Sequence, residues 1–194
     1  RYKVLPLDDR TVEKLNPDTA GRPTLIKGNT QLLFGAMGRL LENCVLNLKN
    51  KSHSVTAEIV VPPEGAEGVI ISQGANIGGW SLYARSGKLK YCYNWGGFKH
   101  FFVEATSQLP AGAHQVRMEF AYAGGGMGKG GTVSLYTDGQ KVGEGNIPAT
   151  LAFVFSADDG CDVGEDSGAP VSPDYSARDN QFNGKIVPAL TELV

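Results

Sequence analysis

Five acidic side chains are concentrated in one glycine-rich stretch in the second half of the chain. They are Asp158, Asp159, Asp162, Glu165 and Asp166, with Gly160, Gly164 and Gly168 between or shortly after them. Because Ca²⁺ takes six to eight oxygen ligands from carboxylates and carbonyls, such a loop predicts a calcium site. The spacing does not match an EF-hand. The alternative is a solvated loop in which the Asp side chains accept hydrogen bonds from their own backbone turns.

A second set of side chains with binding chemistry is aromatic and lies between residues 80 and 101. Those predicted for a glycan-binding or docking face are Trp80, Tyr83, Tyr93 and Trp95. On alternating strands, some of these rings face the core of a sandwich and others face solvent. Solvent-facing rings could stack on a sugar or form a docking surface. Core packing is the alternative for each of them.

Other local patterns do not support catalysis. Residues 124–131 are rich in glycine and contain a G-x-G-x-x-G spacing, but they connect two predicted strands with no helix after them. We therefore predict a flexible connection. His53, His100 and His114 are far apart and form no metal-binding pair. The spacing supports neither a Ser/His/Asp set nor a carboxylate pair.

Short alternating segments must position these side chains. Residues 55–61 alternate apolar and polar types and end at Pro62-Pro63, and similar segments recur along the chain. Ser86-Gly87 and Asp138-Gly139 are typical of two-residue hairpin turns. Further predicted strands are 69–71, 80–84, 89–93, 101–105, 116–122, 132–137, 140–145, 151–155 and 182–187. About nine to twelve short strands predict an all-β fold, a two-sheet antiparallel β-sandwich.

Length and composition limit the function further. The chain has 194 residues and a formal charge of −2, which suits one domain and gives no basic surface for nucleic acid. No apolar run is long enough to span a membrane, and no signal-peptide pattern opens the chain. Three cysteines are too few for a disulfide framework. Residues 1–30 predict an extended lead-in segment, with at most a helical turn near Val12 to Leu15, packed on a sandwich of residues 31–194.

The order of the motifs along the chain resembles known β-sandwich families. The hairpin Gly79 to Asn94, the segment Thr132 to Gly139 and the closing Phe182 to Ile186 resemble the laminin-G-like, concanavalin-type jelly roll. The whole chain resembles a narrower family, the carboxy-terminal β-sandwich of bacterial arylsulfatases. The residues that carry this resemblance are Val4 to Arg10, Ala20 to Pro23, Asn43 to Lys51, Gly65 to Gly74, Gly124 to Thr132 and Phe155 to Tyr175.

The resemblance implies an accessory domain of a bacterial sulfatase. Sulfatases hydrolyse sulfate esters with a formylglycine made from the Cys or Ser of a Cys/Ser-x-Pro-x-Arg motif. None of Cys44, Cys92 and Cys161 has a proline two residues on, and no Ser fits the motif. We therefore expect no enzymatic activity from this chain, and a sulfatase catalytic domain as its partner in cis. The compartment stays open, with a lean towards the cytoplasm.

Three functions follow as hypotheses. The leading one is an interaction domain that packs on the sulfatase catalytic domain and stabilises it. The alternative is a carbohydrate-binding module that recruits sulfated glycans. A self-contained glycan-processing enzyme ranks third, because the sequence nominates no carboxylate pair. Exposure of the aromatic rings separates the first two: rings around a groove favour glycan binding, and an apolar patch without a groove favours docking.

Overall fold

The computed structural model describes residues 25–193. The helical turn predicted near Val12 to Leu15 and most of the predicted lead-in segment lie outside the described residues. The described part has eleven β-strands and one short 3₁₀-helix (Glu42–Cys44). The strands are β1 (Thr30–Phe34), β2 (His53–Val61), β3 (Gly68–Ala75), β4 (Gly78–Arg85), β5 (Lys88–Trp95), β6 (Lys99–Gln108), β7 (Gly112–Tyr122), β8 (Gly131–Thr137), β9 (Gln140–Ile147), β10 (Cys161–Val163) and β11 (Lys185–Leu193).

The strands form two sheets. Sheet A has six strands in the order β1-β11-β2-β7-β8-β9, and sheet B has five in the order β10-β3-β4-β5-β6. Every strand pair in both sheets is antiparallel. The predicted all-β, two-sheet antiparallel sandwich is therefore confirmed. Across residues 25–193, none of the helical structure is long or apolar enough to cross a membrane.

The core between the sheets follows from the period-two alternation of the strands. In β2, residues 55, 57, 59 and 61 are buried, and they lie opposite Met118, Val116, His114 and Gly112 of β7. Successive side chains of a strand point to opposite faces, so one face of each strand enters the core. In sheet B, Trp80, Leu82 and Tyr91 are fully buried members of the same core.

Sheet B is also covered on its outer face. Val69, Tyr83 and Cys92 point away from the main core and form a separate buried cluster with Tyr175. Tyr175 belongs to the segment 164–184, which connects β10 to β11 and lies over β3 and β4. Both faces of these strands are consequently buried, which explains why β3 is buried along its whole length.

Two hairpin turns form where the sequence predicts them. Ser86 and Gly87 have φ of 51° and 75°, and Asp138 and Gly139 have φ of 51° and 77°. Positive φ at both central residues is the conformation of a type I′ turn, whose twist matches that of the flanking strands. These turns set the register of the β4–β5 and β8–β9 hairpins.

The predicted strand at 151–155 is wrong, because this segment is a loop. The Leu151 backbone N–H donates to the Tyr93 hydroxyl at 2.8 Å, and the Phe155 N–H donates to the Glu42 carboxylate at 3.2 Å. Since side chains satisfy these backbone groups, the apolar side chains reach the core without strand pairing. Conversely, β1 and β10 are strands that the sequence analysis did not predict.

The two ends of the sandwich carry different connections. At one end, here called the loop end, lie the β3–β4 turn (76–77), the β5–β6 turn (96–98), the β7–β8 loop (123–130) and the segment 148–160. These connections touch one another: the Thr150 N–H donates to the Gly128 carbonyl at 3.2 Å. The opposite end, the far end, carries the β2–β3 connection and the two type I′ turns.

Candidate functional site

Three of the four aromatic residues predicted for a binding face lie in the interior. Trp80 and Tyr93 are buried in the core between the sheets. Tyr83 points the other way and is buried beneath the segment 164–184. These three side chains match the core-packing alternative, because the inner face of sheet B packs in the core and the segment 164–184 covers Tyr83 on the outer face. The fourth residue, Trp95, is 38% exposed.

Trp95 is the last residue of β5 and lies at the loop end, next to the β5–β6 turn. Its ring centroid is 6.4 Å from that of Phe98, and the two rings are tilted by 58°. Phe98 is 87% exposed, and Ile77 of the neighbouring β3–β4 turn is also exposed. The sequence analysis did not assign Phe98 to the binding face, because it lies in a turn where period-two alternation gives no information. The Gly96-Gly97 pair between the two aromatic residues is the sequence signal for this turn.

A buried amide fixes the two turns against each other. The Asn94 side chain is fully buried, and its Nδ2 donates to the carbonyls of Ala75 at 3.3 Å, Asn76 at 3.0 Å and Val171 at 3.0 Å. Its Oδ1 accepts a hydrogen bond from the Gly97 N–H at 2.8 Å. Because one side chain binds both turns, the exposed rings sit on a rigid support.

The lysines of β5 and β6 differ in whether their charges are compensated. Lys90 contacts Asp174 at 2.7 Å and Glu104 at 3.4 Å, and Lys88 contacts Glu104 at 3.3 Å. Their charges are therefore compensated within the domain. Lys99 lies opposite Trp95 in the β5–β6 register, and its ammonium is 5.3 Å from the Phe101 ring centroid. Lys99 is exposed and has no ion pair with the residues that the structure describes.

An apolar patch lies on sheet A. Leu33 of β1 faces the core, so its neighbours Leu32 and Phe34 face outward, and both are about half exposed. Val60 of β2 and Val187 of β11 are exposed as well. The three strands are adjacent at one side of sheet A. We call these four residues the sheet A patch. It spans three strands, and a cleft lined by Gly35 and Ile186 lies beside it.

Of the predicted calcium ligands, Asp162 lies in β10 and the other four lie before or after it. The carboxylates of Asp159, Asp162 and Asp166 accept hydrogen bonds from different donors. Asp159 accepts a hydrogen bond from the Ala169 N–H at 3.1 Å. Asp162 is buried and accepts hydrogen bonds from the N–H and hydroxyl of Ser167, both at 2.8 Å, as well as from the Arg39 N–H. These contacts match the capping alternative, in which the carboxylates order the backbone of their own loop.

Asp166 is the most deeply buried of the five. Its Oδ2 accepts hydrogen bonds from the Val171 N–H at 2.9 Å and the Tyr175 hydroxyl at 2.7 Å. Burial raises the pKa of the Asp166 carboxyl to about 6, against the opposing effect of these two donors. The carboxylate therefore anchors the segment 164–184 from within.

The remaining two acidic residues point elsewhere. Asp158 is exposed, and Glu165 accepts a hydrogen bond from the Gln181 amide at 3.0 Å. Among residues 25–193, no three His, Cys, Asp or Glu side chains are grouped so that they could hold a metal ion. Calcium at this loop stays a prediction, and melting the chain with calcium and then with a chelator tests it.

The glycine-rich segment is a connection, with contacts that hold it to the loop end. The Asn50 Oδ1 accepts a hydrogen bond from the Gly128 N–H at 2.8 Å, and the Tyr122 hydroxyl donates to the Gly126 carbonyl at 2.6 Å. It joins β7 to β8 with no helix after it. The arrangement lacks the helix N-terminus that a phosphate-binding loop uses.

The histidines and cysteines make separate contacts. His53 is buried with Nδ1 3.0 Å from the Lys51 carbonyl, and burial lowers its pKa to about 4. His114 contacts Asp138 at 2.7 Å. Cys92 and Cys161 are free and buried, and burial raises the pKa of both thiols. Such thiols are poor nucleophiles.

Two clefts lie away from the aromatic turn. One of about 450 Å³ at the far end is lined by Glu67, Gln108 and Asn183, whose side chains already form hydrogen bonds within the domain. The other, of about 340 Å³, lies beside β10 and β11 and is lined by Glu165 and Lys185. Neither cleft brings together nucleophile, acid and base in the way that an enzyme site requires.

Two packed antiparallel sheets with this strand order form a β-sandwich of the jelly-roll, laminin-G-like class. Among solved structures, a Ruminococcus gnavus IT-sialidase CBM40 is similar with a TM-score of 0.56 and 10% identity, covering 88% of this chain and 92% of that one. Mouse laminin alpha1 domains LG4-5 have a TM-score of 0.51 and 14% identity, covering 88% of this chain and 43% of that one.

A third similar structure is the binding domain of Paraclostridial Mosquitocidal Protein 1. Its TM-score is 0.51 at 12% identity, covering 86% of this chain and 43% of that one. No protein-family model matches the chain, and no curated protein matches it. At these identities the similarities show the fold alone, and nothing in them links the chain to sulfatases.

Proposed function

We propose that this chain is a non-catalytic interaction domain that docks on a neighbouring domain through the sheet A patch. The observation that carries the proposal is the exposure of Leu32, Phe34, Val60 and Val187 on three adjacent strands. Apolar side chains grouped on a sheet face gain free energy when a partner removes them from water. The spread of the patch over three adjacent strands of a sheet favours a flat protein surface as the partner.

The resemblance to arylsulfatase carboxy-terminal domains supplies the partner, which is the sulfatase catalytic domain in cis. No cysteine of this chain has the Pro that the formylglycine motif requires. The aryl sulfate chemistry therefore belongs to the partner. The role of this chain is to stabilise it.

The test is binding of the purified chain to the catalytic domain encoded with it, measured by calorimetry. Phe34→Ser removes the one aromatic ring among the four patch residues and should weaken binding about tenfold. Phe98→Ser is the matched control, because it removes an even more exposed ring at the loop end. No complex, or equal effects of the two variants, would overturn the proposal. The chain alone should not hydrolyse a chromogenic aryl sulfate.

Carbohydrate binding is the second candidate, and one observation favours it. Trp95 and Phe98 present two rings to solvent on a rigid turn at the loop end. A similar structure of the Ruminococcus gnavus CBM40 was solved bound to alpha2,3 sialyllactose, with a TM-score of 0.53 and 10% identity. Because the rings are distant from the sheet A patch in the fold, the two functions use separate surfaces.

A further inference from the structure

We infer that the β5–β6 turn binds a pyranose that carries a carboxylate or a sulfate group. The site, here called the hairpin tip, consists of Trp95, Phe98, Lys99 and the adjacent Asn76. The inference rests on the carbohydrate-binding candidate and names its ligand class and its residues. It does not depend on docking through the sheet A patch.

The backbone of the hairpin tip is built to present the rings. Gly96 and Gly97 have φ of 67° and 73°, a region that side chains rarely adopt. A Cβ on Gly96 would lie 3.0 Å from the Phe98 ring, and a Cβ on Gly97 would lie 3.0 Å from the Asn76 carbonyl. Glycine at both positions lets the turn close against the β3–β4 turn, with the Phe98 N–H donating to the Trp95 carbonyl at 3.2 Å.

The two rings supply the stacking surface for a sugar. The C–H bonds of a pyranose face carry partial positive charge and contact the negative face of an aromatic ring. Because the rings of Trp95 and Phe98 are tilted by 58°, they form two walls of a shallow corner. One ring can lie under the sugar while the other contacts its edge.

The polar groups at the tip determine the charge of the ligand. Lys99 lies directly opposite Trp95 in the hairpin and has no carboxylate partner within residues 25–193, whereas Lys88 and Lys90 on the same sheet are both ion-paired. The Lys99 ammonium lies 5.3 Å from the Phe101 ring centroid, on an exposed side chain whose backbone pairs with Trp95. An uncompensated ammonium at the tip complements an anionic substituent on the sugar. The exposed Asn76 amide is available to a hydroxyl group.

Binding can be followed through the intrinsic fluorescence of the chain. There are two tryptophans, and Trp80 is buried, so a ligand at the surface changes the emission of Trp95. The probes are κ-carrageenan as a sulfated galactan, polygalacturonate as a carboxylated polymer, and agarose as the neutral galactan. We expect saturable binding of one or both anionic polymers, and we expect this binding to become weaker when salt is added to about 0.5 M. Agarose should bind more weakly than the anionic polymers. Which anionic polymer binds identifies the substituent.

Two variants with matched controls locate the site. Phe98→Ser and Lys99→Gln should each weaken binding about tenfold, since one removes a stacking ring and the other a charge-assisted contact. Phe34→Ser and Lys185→Gln alter exposed residues of the same two types elsewhere on the domain, and both variants should bind as the parent chain does. Unchanged melting temperatures of Phe98→Ser and Lys99→Gln exclude misfolding as the cause of a loss.

Several outcomes would overturn the inference. Equal affinity for agarose would show that the ligand needs no anionic substituent. Equal effects of Lys99→Gln and Lys185→Gln would show that Lys99 has no particular role in binding. Binding to phosphatidylglycerol vesicles, with no binding to either polymer, would assign the tip to membranes instead. Failure of docking with intact polymer binding would overturn only the interaction proposal, because Phe34 and Phe98 are separate probes of the two surfaces.

Discussion

The outer faces of the two sheets are covered in different ways. On sheet B, the segment 164–184 lies over β3 and β4. The Tyr175 hydroxyl donates to Asp166 at 2.7 Å and accepts a hydrogen bond from the Ser81 hydroxyl at 2.9 Å. On sheet A, the outward side chains of β1 include Leu32 and Phe34, which the described residues leave exposed. The chain thus covers the face on which it has polar anchors. Among residues 25–193, the sheet A patch and the hairpin tip stay exposed, and these are the surfaces that we propose for a partner and a ligand.

Removing the anchor of the cover should have the largest effect on stability. Tyr175 packs edge-on against Tyr83 with ring centroids 5.3 Å apart. Tyr175→Ala removes this contact and two hydrogen bonds, and should lower the free energy of unfolding by about 3 kcal/mol. Tyr175→Phe keeps the ring and should cost about 1–2 kcal/mol, the loss of the hydroxyl contacts to Ser81 and Asp166. Urea unfolding of the chain measures both.

A result within about 0.5 kcal/mol for Tyr175→Ala would contradict this view of the segment. It would mean that the segment lies on sheet B without stabilising it. Phe102→Ser is a suitable control, because Phe102 is an exposed ring on the same sheet. We expect a much smaller loss of stability from that variant.

The comparison of the two faces also explains what the sequence could predict. Alternation and the two glycine turns predicted the sandwich, since one buried face per strand is enough to define a strand. Alternation did not separate Trp80 from Tyr83, which lie on opposite faces of β4 and are both buried. The cover on Tyr83 comes from residues about 90 positions further along the chain, as the hydrogen bond to Asp174 shows. A contact at that separation leaves no local pattern.

At the hairpin tip, the alternation of apolar and polar residues also fails to predict exposure, here for rings that are exposed. Trp95 ends β5 and Phe98 lies in the turn that follows, where exposure depends on the φ angles of Gly96 and Gly97. The sequence analysis included Trp95 among the candidates of an aromatic-rich region, but it did not include Phe98, Lys99 or Asn76. The role of Asn94, which contacts both turns, follows only from three-dimensional proximity.

Two buried side chains, His53 of β2 and Asp166 of the segment 164–184, have opposite effects on stability between pH 6.5 and 4. Burial lowers the pKa of His53 on sheet A to about 4. As the pH falls below 6.5, this histidine is therefore protonated in the unfolded chain but not in the folded chain. Folding stability is lost over this range. Burial raises the pKa of Asp166 to about 6, so the folded chain takes up a proton first and stability is gained as the pH falls from 6 to 4.

Because the two contributions oppose each other, removing one should expose the other. His53→Gln should become more stable on lowering the pH from 6.5 to 4, and Asp166→Asn less stable, each by up to about 3 kcal/mol relative to its own value at pH 6.5. Chemical unfolding of the parent chain and both variants at the two pH values gives these differences. The same pH dependence in both variants would show that neither group titrates as its burial requires. The slope within each variant is compared, so a constant loss of stability does not affect the result.

The smallest effect should come from the sheet A patch in the isolated chain. Phe34 lies on β1, the strand at one edge of sheet A, and it is 51% exposed. Folding of the isolated chain therefore buries only part of its ring. Phe34→Ser should therefore change the free energy of unfolding by no more than about 1 kcal/mol, the range of strand propensity. Leu33→Ala, one residue earlier and buried, is the control and should cost about 2–5 kcal/mol. If Phe34→Ser cost as much as Leu33→Ala, the ring would already be packed within this chain, and the sheet A patch would not be free for a partner.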